Sequence, residues 1–240
     1  MSLYNIVEYY DTESGQYSKK RYEGVTETYV QYFFKKRREI VLGLLRKILN
    51  GKKNLSLLDI ACADGVMLPA VDGAFPGVFS KFVGTDISPG MVEVARKIFS
   101  DDGRFSFFVK KECPKERCDI AFGLGYLSAL IYEEEVAFLF ERLKPGGYYL
   151  CTFATPRSVY ARLKLSDKPY LKDYRTYAEY RNMLDKYFEI LEEVPYGLFI
   201  PKLWSVPIIA RVLQPFFDGI FRHILPNLYH EKVYLLKRKP

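Results

Sequence analysis

The stretch that decides the fold is Leu55–Val71, "LSLLDIACADGVMLPAV". An apolar run with an aspartate, Asp59, leads into five small or short residues, Ala61-Cys62-Ala63-Asp64-Gly65, and then into an apolar segment with helical character. A strand feeding a small-residue turn and then a helix is the layout of a nucleotide-binding turn, where small side chains let a ligand approach the backbone. One glycine stands where such turns usually carry two or three, because Ala61 and Ala63 hold the other small positions. On its own the turn is weak evidence, since plain tight turns use the same residue types.

Working outward, strand-like and helix-like segments alternate. The strand-like runs are Ser56–Cys62, Lys81–Asp86, Arg104–Lys110, Cys118–Gly123 and Gly147–Phe153, and most are β-branched or aromatic. Between them lie helix-like segments at Gly65–Ala74, Pro89–Ser100 and Glu133–Leu143. Ser88-Pro89 reads as a cap followed by proline at the first helical position, and Glu133-Glu134-Glu135 puts negative charge where a helix dipole favours it. A sixth strand at Phe188–Val194 and a closing strand at Lys232–Lys237 complete a doubly wound α/β fold with a mostly parallel, seven-stranded sheet. In such sheets a ligand sits beyond the C-terminal ends of the strands. The positions there are Asp59 to Gly65, Asp86-Ile87, Lys111-Glu112 and Gly123 to Tyr126.

Two of these positions reinforce each other. Asp86 ends the second strand 21 positions past Gly65, the place from which a carboxylate accepts the hydroxyls of a ribose. As a plain structural group Asp86 would cap the helix at Pro89, but Ser88 is better placed for that. No G-x-x-x-x-G-K-[ST] phosphate loop follows the first strand, and Ala61, Ala63 and Val66 replace the glycines of a G-x-G-x-x-G fingerprint. The expected pocket takes an adenosine-like ligand without provision for pyrophosphate.

The segments "LLDIACADG", "VGTDISPGMVEVAR", "CDIAFGLGYLSAL" and "LFERLKPGGYYLCTF" together resemble the ordered motifs of class I S-adenosylmethionine-dependent methyltransferases, over Leu55 to Phe153. The resemblance implies a Rossmann-like methyltransferase fold with S-adenosyl-L-methionine as cofactor and S-adenosyl-L-homocysteine as product. Asp59, Ala61, Ala63, Asp64 and Gly65 would hold the methionine end, Asp86 the ribose, Ile87 and Met91 the adenine faces, Glu112 the adenine amino group, and Gly123 and Leu124 the wall near the fourth strand. Leu-Lys-Pro-Gly-Gly reads as a helix stop and a turn before the fifth strand. The chain departs from the family in its A-x-A-x-G loop, where G-x-G-x-G is usual, and in the Lys110–Pro114 stretch, where the family carries an aspartate.

The bulk numbers bound the rest. The 240 residues suit one domain, divided into an N-terminal helical lid over 1–50, a cofactor core over 55–153 and a helical cap insertion over 196–228. The lid includes a helix expected over Val25–Leu49, and Tyr9, Tyr10, Tyr17 and Tyr22 within it, with Tyr126 after the fourth strand, are the candidate acceptor-binding residues. The net charge of +7 suits an anionic partner, and an RNA-modifying methyltransferase or a non-catalytic protein of the same fold are the alternatives to a small-molecule enzyme. The basic run Lys35-Lys36-Arg37-Arg38 reads as a solvated helix face. Cys62, Cys113, Cys118 and Cys151 form no C-x-x-C pair and no metal site is expected, while the reading for location is cytoplasmic. No residue is singled out as a general base; His223 and His230 qualify by type alone.

From Val206 to Leu225, Arg211, Gln214, Asp218 and Arg222 form one polar stripe on an otherwise apolar helix that Pro215 interrupts. Such a wide apolar face packs on the protein's own core, joins two copies in a homodimer, or meets a lipid surface as a peripheral membrane contact.

Overall fold

The computed structural model describes residues 3–24, 27–125, 133–165 and 175–240. Its centre is a seven-stranded sheet in the order β3-β2-β1-β4-β5-β7-β6. The strands are β1 (Leu55–Ile60), β2 (Phe79–Asp86), β3 (Phe105–Val109), β4 (Cys118–Gly123), β5 (Leu143–Ala154), β6 (Phe188–Tyr196) and β7 (Glu231–Arg238). β1 to β5 pair in parallel, and β7 runs antiparallel between β5 and β6. Strand order reverses between β1 and β4, so the crevice for a ligand opens where Ile60 and Gly123 end their strands.

The helices between the strands are α4 (Met67–Ala74), α5 (Pro89–Ile98), α6 (Glu133–Arg142), α7 (Val159–Arg162) and α8 (Tyr177–Leu184). α5 starts as its sequence dictates: the Ser88 hydroxyl accepts from the Met91 amide at 3.1 Å and Pro89 occupies the first turn. One core cluster, including Leu57, Phe82, Ile120 and Leu150, lies on one sheet face, and another, including Leu58, Ala121, Tyr149 and Leu236, lies on the other. The alternation of Leu57 and Leu58 between the two clusters is the pleat of a strand buried on both sides.

The Lys-Pro-Gly-Gly stretch differs from its reading as a turn before the strand. β5 begins at Leu143, next to the last residue of α6, and Leu143 already pairs with Cys118. The next pair is Ile120 with Tyr148, so Lys144 to Gly147 bulge out of the ladder opposite Asp119. Gly146 takes φ +72° there, and a Cβ on Gly147 would lie 2.9 Å from the Lys144 carbonyl oxygen.

Three helices precede the sheet: α1 (Leu3–Glu13), α2 (Tyr17–Tyr22) and α3 (Tyr29–Ile48). α3 opens with a capping box between Thr28 and Gln31. Between β6 and β7, the chain runs over a short helical turn to α9 (Pro207–Ile224), which continues through Pro215. The orientation of α9 inverts the ordinary amphipathic rule. Its buried residues are Ala210, Gln214 and Asp218, while Ile208 is 80% exposed and Val212 72%. The apolar face therefore does not pack on the protein's own core; Ala210 and the middle of the polar stripe, Gln214 and Asp218, pack inward, while Arg211 stays exposed and Arg222 half-exposed.

Candidate cofactor and acceptor site

The turn after β1 carries its residues in an alternating left-handed conformation. Ala61, Ala63 and Gly65 have φ of +56°, +51° and +82°. Glycine adopts such angles freely, whereas each alanine pays about 1–2 kcal/mol for the crowding of its Cβ against the backbone. The alternation turns the Ala63 amide toward the end of β2, where it donates to Asp86 Oδ2 at 2.9 Å. Asp86 Oδ1 accepts from the Ser88 amide at 3.0 Å. These contacts lock the β1 turn to the β2 turn through one buried carboxylate. Burial raises the Asp86 pKa, and the backbone donors pull it back.

Asp59 stands beside this pair, buried near the end of β1. Desolvation pushes its carboxyl up to about 7, with the Arg37 guanidinium opposing and the Asp86 charge adding to the shift. Arg37 itself is 5% exposed, which corrects its reading as part of a solvated run. Its guanidinium lies over the Phe34 ring at 4.5 Å, and a Cβ on Gly125 would sit 3.0 Å from its Nη1. The signal was in the spacing: Tyr29, Phe33, Arg37 and Val41 share one helical face, and all four are buried.

Arg37 Nε and Asp64 Oδ1 are buried polar atoms near the turn with no partner among the described residues. The other Asp64 oxygen accepts from the Ser18 amide at 3.1 Å. A buried donor and a buried acceptor without partners normally cost free energy. Here they suit the carboxylate and ammonium of an amino-acid ligand, and with Asp86 they make a donor set that fits an S-adenosylmethionine-like molecule.

The N-terminal helices reach across both turns. Asp11 Oδ1 accepts from the Ser88 hydroxyl and from the Gly90 amide, the latter at 3.0 Å. Tyr17 is half-buried with the Arg21 guanidinium over its ring at 3.7 Å, and Tyr17 and Tyr22 both lie within electrostatic reach of Arg37. Tyr22 also points its hydroxyl at Met67 Sδ, 3.9 Å away. Tyr9 packs edge-on against Tyr10 at 5.2 Å.

The remaining sequence-derived positions divide. Gly123 and Leu124 are buried at the end of β4, and Ile87 is half-buried after β2. Met91 is wholly buried within the first turns of α5. Glu112 lies exposed on a short helical turn after β3. Tyr126 lies outside the described residues.

A second cluster, absent from the sequence reading, sits where β5 ends and β7 begins. Tyr29 stacks on Tyr160 at 5.7 Å and Phe33 on Tyr196 at 4.9 Å. The His230 ring lies 4.7 Å from Tyr160 and 5.6 Å from Phe33, with its Nδ1 3.4 Å from the Ser158 hydroxyl. Burial lowers the His230 pKa and keeps the ring neutral, against the pull of neighbouring Glu231. His223, by contrast, is exposed on α9 and accepts from Arg222 Nε at 3.1 Å. Beside this cluster a cavity of about 290 Å³ lies under α9, between Leu198, Phe217, Phe221 and Tyr229.

The fold is shared with known proteins. A methyltransferase-domain family model matches residues 31–187. No curated protein matches the chain. Among solved structures, a Haloferax volcanii protein in complex with the Trm112 methyltransferase activator is similar at TM-score 0.65 and 15% identity, covering 96% of this chain and 97% of that one. Magnesium protoporphyrin IX methyltransferase from Synechocystis PCC 6803, with S-adenosylhomocysteine bound, is similar at 0.64 and 15%, covering 99% and 100%. The [4+2]-cyclase SpnF is similar at 0.63 and 17%, covering 98% and 95%. The matched span runs from α3 to the start of β6 and includes both turns joined by Asp86. The chain belongs to the methyltransferase-domain family, of the class I type that uses S-adenosylmethionine.

Proposed function

We propose that the chain transfers a methyl group from S-adenosylmethionine to a small hydrophobic or aromatic acceptor, with oxygen the favoured acceptor atom. The observation that carries this reading is the Ala63–Asp86 hydrogen bond that joins the two turns, with the buried Arg37 in electrostatic reach of Asp59 on one side and of Tyr196 and Glu231 in the aromatic cluster on the other. The bound cofactor supplies a methyl group made electrophilic by its sulfonium. Asp86 accepts the ribose hydroxyls, Asp59 and the turn backbone hold the methionine end, and Arg37 faces the carboxylate. The N-terminal helices act as a lid, tied down by Asp11 and Ser18. Tyr29, Phe33 and Tyr160 orient a flat acceptor, because in-line displacement needs alignment more than chemical assistance. Neutral His230 is the proton acceptor for a hydroxyl nucleophile.

The similarity to magnesium protoporphyrin IX methyltransferase supports a small-molecule acceptor, and the Haloferax volcanii complex supports trying a protein activator if turnover is slow. A second reading, a protein of this fold that does not transfer methyl groups, is favoured by the two alanines held at positive φ in the turn. Calorimetry with S-adenosylmethionine and S-adenosylhomocysteine, followed by a homocysteine-release assay over hydrophobic phenols and carboxylic acids, separates the two. Micromolar binding lost in Asp86→Ala, with turnover of at least one acceptor class, is expected. Absence of binding at millimolar cofactor overturns the enzyme reading, and binding without turnover of any acceptor favours the second.

A further inference from the structure

The apolar face of α9 is held outward by a built set of contacts. Gln214 Nε2 donates to the Leu198 carbonyl at 2.6 Å, Trp204 Nε1 donates to Gln214 Oε1 at 3.2 Å, and the Tyr32 hydroxyl donates to Asp218 Oδ2 at 2.6 Å. Rotating the helix to bury its apolar side would strand all of these groups. The outward face therefore carries Ile208, Ile209, Val212, Phe216, Ile220 and Ile224 as a fixed aliphatic and aromatic strip. Over 18 residues the strip is about 27 Å long, far more than the scattered apolar residues ordinary on a surface.

Charge identifies what covers it. Between residues 197 and 230 the single acidic residue is Asp218, and it is buried beneath the helix. The charges left at the surface of this segment are all positive: Lys202 and Arg211 are exposed, and Arg222 is half-exposed. Arg211 and Arg222 lie about three turns apart and so share one rim of the apolar strip. Arg211 meets Glu27 only at 3.9 Å and stays 67% exposed on its side chain. An apolar helical face with a cationic rim and no exposed acid on the helix is the pattern of a helix lying in a bilayer interface, its apolar side among acyl chains and its arginines at anionic headgroups.

We propose that α9 docks this protein onto anionic lipid bilayers, lying in the plane of the interface. The proposal goes beyond methyl transfer and stands without it, because binding is read with no cofactor or acceptor present. It also gives the cavity under α9 a supply route for a membrane-dissolved molecule. The test is co-flotation of the full chain with vesicles of phosphatidylglycerol and phosphatidylcholine, against vesicles of phosphatidylcholine alone. Expected are binding to the anionic vesicles that weakens with salt, a loss of roughly tenfold or more in Val212→Asp/Phe216→Asp, and a comparable loss in Arg211→Glu/Arg222→Glu. These side chains face outward, so the variants should keep the parent's circular dichroism and melting temperature. No flotation of the parent, or flotation that neither pair of substitutions reduces, overturns the proposal. A stable dimer broken by Val212→Asp/Phe216→Asp, or saturable capture by a protein with no vesicle binding, overturns it in favour of a protein interface.

Discussion

Helices α5 and α9 both open on proline, both are amphipathic, and they bury opposite faces. α5 packs Met91, Val92 and Ala95 inward and leaves Glu93, Arg96 and Lys97 in solvent. α9 packs Ala210, Gln214 and Asp218 inward and leaves its isoleucines, Val212 and Phe216 in solvent. The difference lies in the surface beneath each helix. Under α5 are sheet residues such as Phe82 and Phe107, which ask only for apolar contact. Under α9 are the Tyr32 hydroxyl, the Trp204 indole and the Leu198 carbonyl, which need partners. Leaving such groups unpaired costs about 1–3 kcal/mol each, which offsets the gain from burying about as many aliphatic side chains.

The largest effect that tests this contrast is a charge placed on each apolar face. Val92→Asp, in the core, should destabilise by more than about 4 kcal/mol or prevent folding. Val212→Asp, on α9, should change stability by less than about 0.5 kcal/mol in water. Urea unfolding of the two variants decides the matter, and similar losses would break the contrast.

A buried carboxylate offers the next test. Asp59 has its pKa pushed up to about 7 by burial, above the ordinary carboxylate value of 3.8. Between those values the unfolded chain is ionised at Asp59 while the native state keeps its proton. This group's contribution is therefore fully present in acid and is lost as pH rises through 7, with a slope of at most about 1.4 kcal/mol per pH unit. Asp59→Asn should flatten stability against pH in that window and raise it at pH 8, while weakening cofactor binding. An unchanged pH profile would mean that the carboxyl is ionised throughout.

On the α9 side the corresponding carboxylate is Asp218, which has its partners. Asp218→Ala should cost about 2–3 kcal/mol, because it leaves the Tyr32 hydroxyl and the Gln214 amide short of an acceptor. Adding Tyr32→Phe should cost less than the sum of the two single changes, a coupling of about 1 kcal/mol or more in a double-mutant cycle. Additive losses would show that the hydrogen bond does not hold α9 in its inverted orientation.

The contrast also marks what sequence reasoning reached. The strands, the Ser88 cap and Asp86 were legible because period, capping and spacing are local properties of Leu55 to Phe153. The burial of Arg37 was hidden by its neighbours Lys35, Lys36 and Arg38, although its place on the Tyr29–Phe33–Val41 face carried the signal. The bulge at Lys144–Gly147 depends on register against Cys118 and Ile120, and the outward face of α9 depends on Tyr32, 186 positions away from Asp218. Neither can be read from a window of neighbouring residues.

The smallest effect concerns the turn, where residues of the core also stand against local preference. Ala61 and Ala63 each pay about 1–2 kcal/mol for a left-handed backbone, and replacement by glycine recovers this less the roughly 0.5–1 kcal/mol that glycine loses in unfolded-state entropy. Ala61→Gly and Ala63→Gly should therefore each be neutral to stabilising by about 1 kcal/mol. Gly65→Ala should go the other way, since its Cβ would meet Phe99 Cε2 at 2.9 Å and Phe107 Cε1 at 3.0 Å. Cofactor titrations of the same variants separate two roles for the alanine methyl groups. Tighter binding in the glycine variants would mean that the methyls crowd the ligand. Unchanged binding with raised stability would mean that they strain only the protein, and that the turn keeps its shape for the sake of the Ala63–Asp86 hydrogen bond. Lowered stability in both glycine variants would contradict the strain itself.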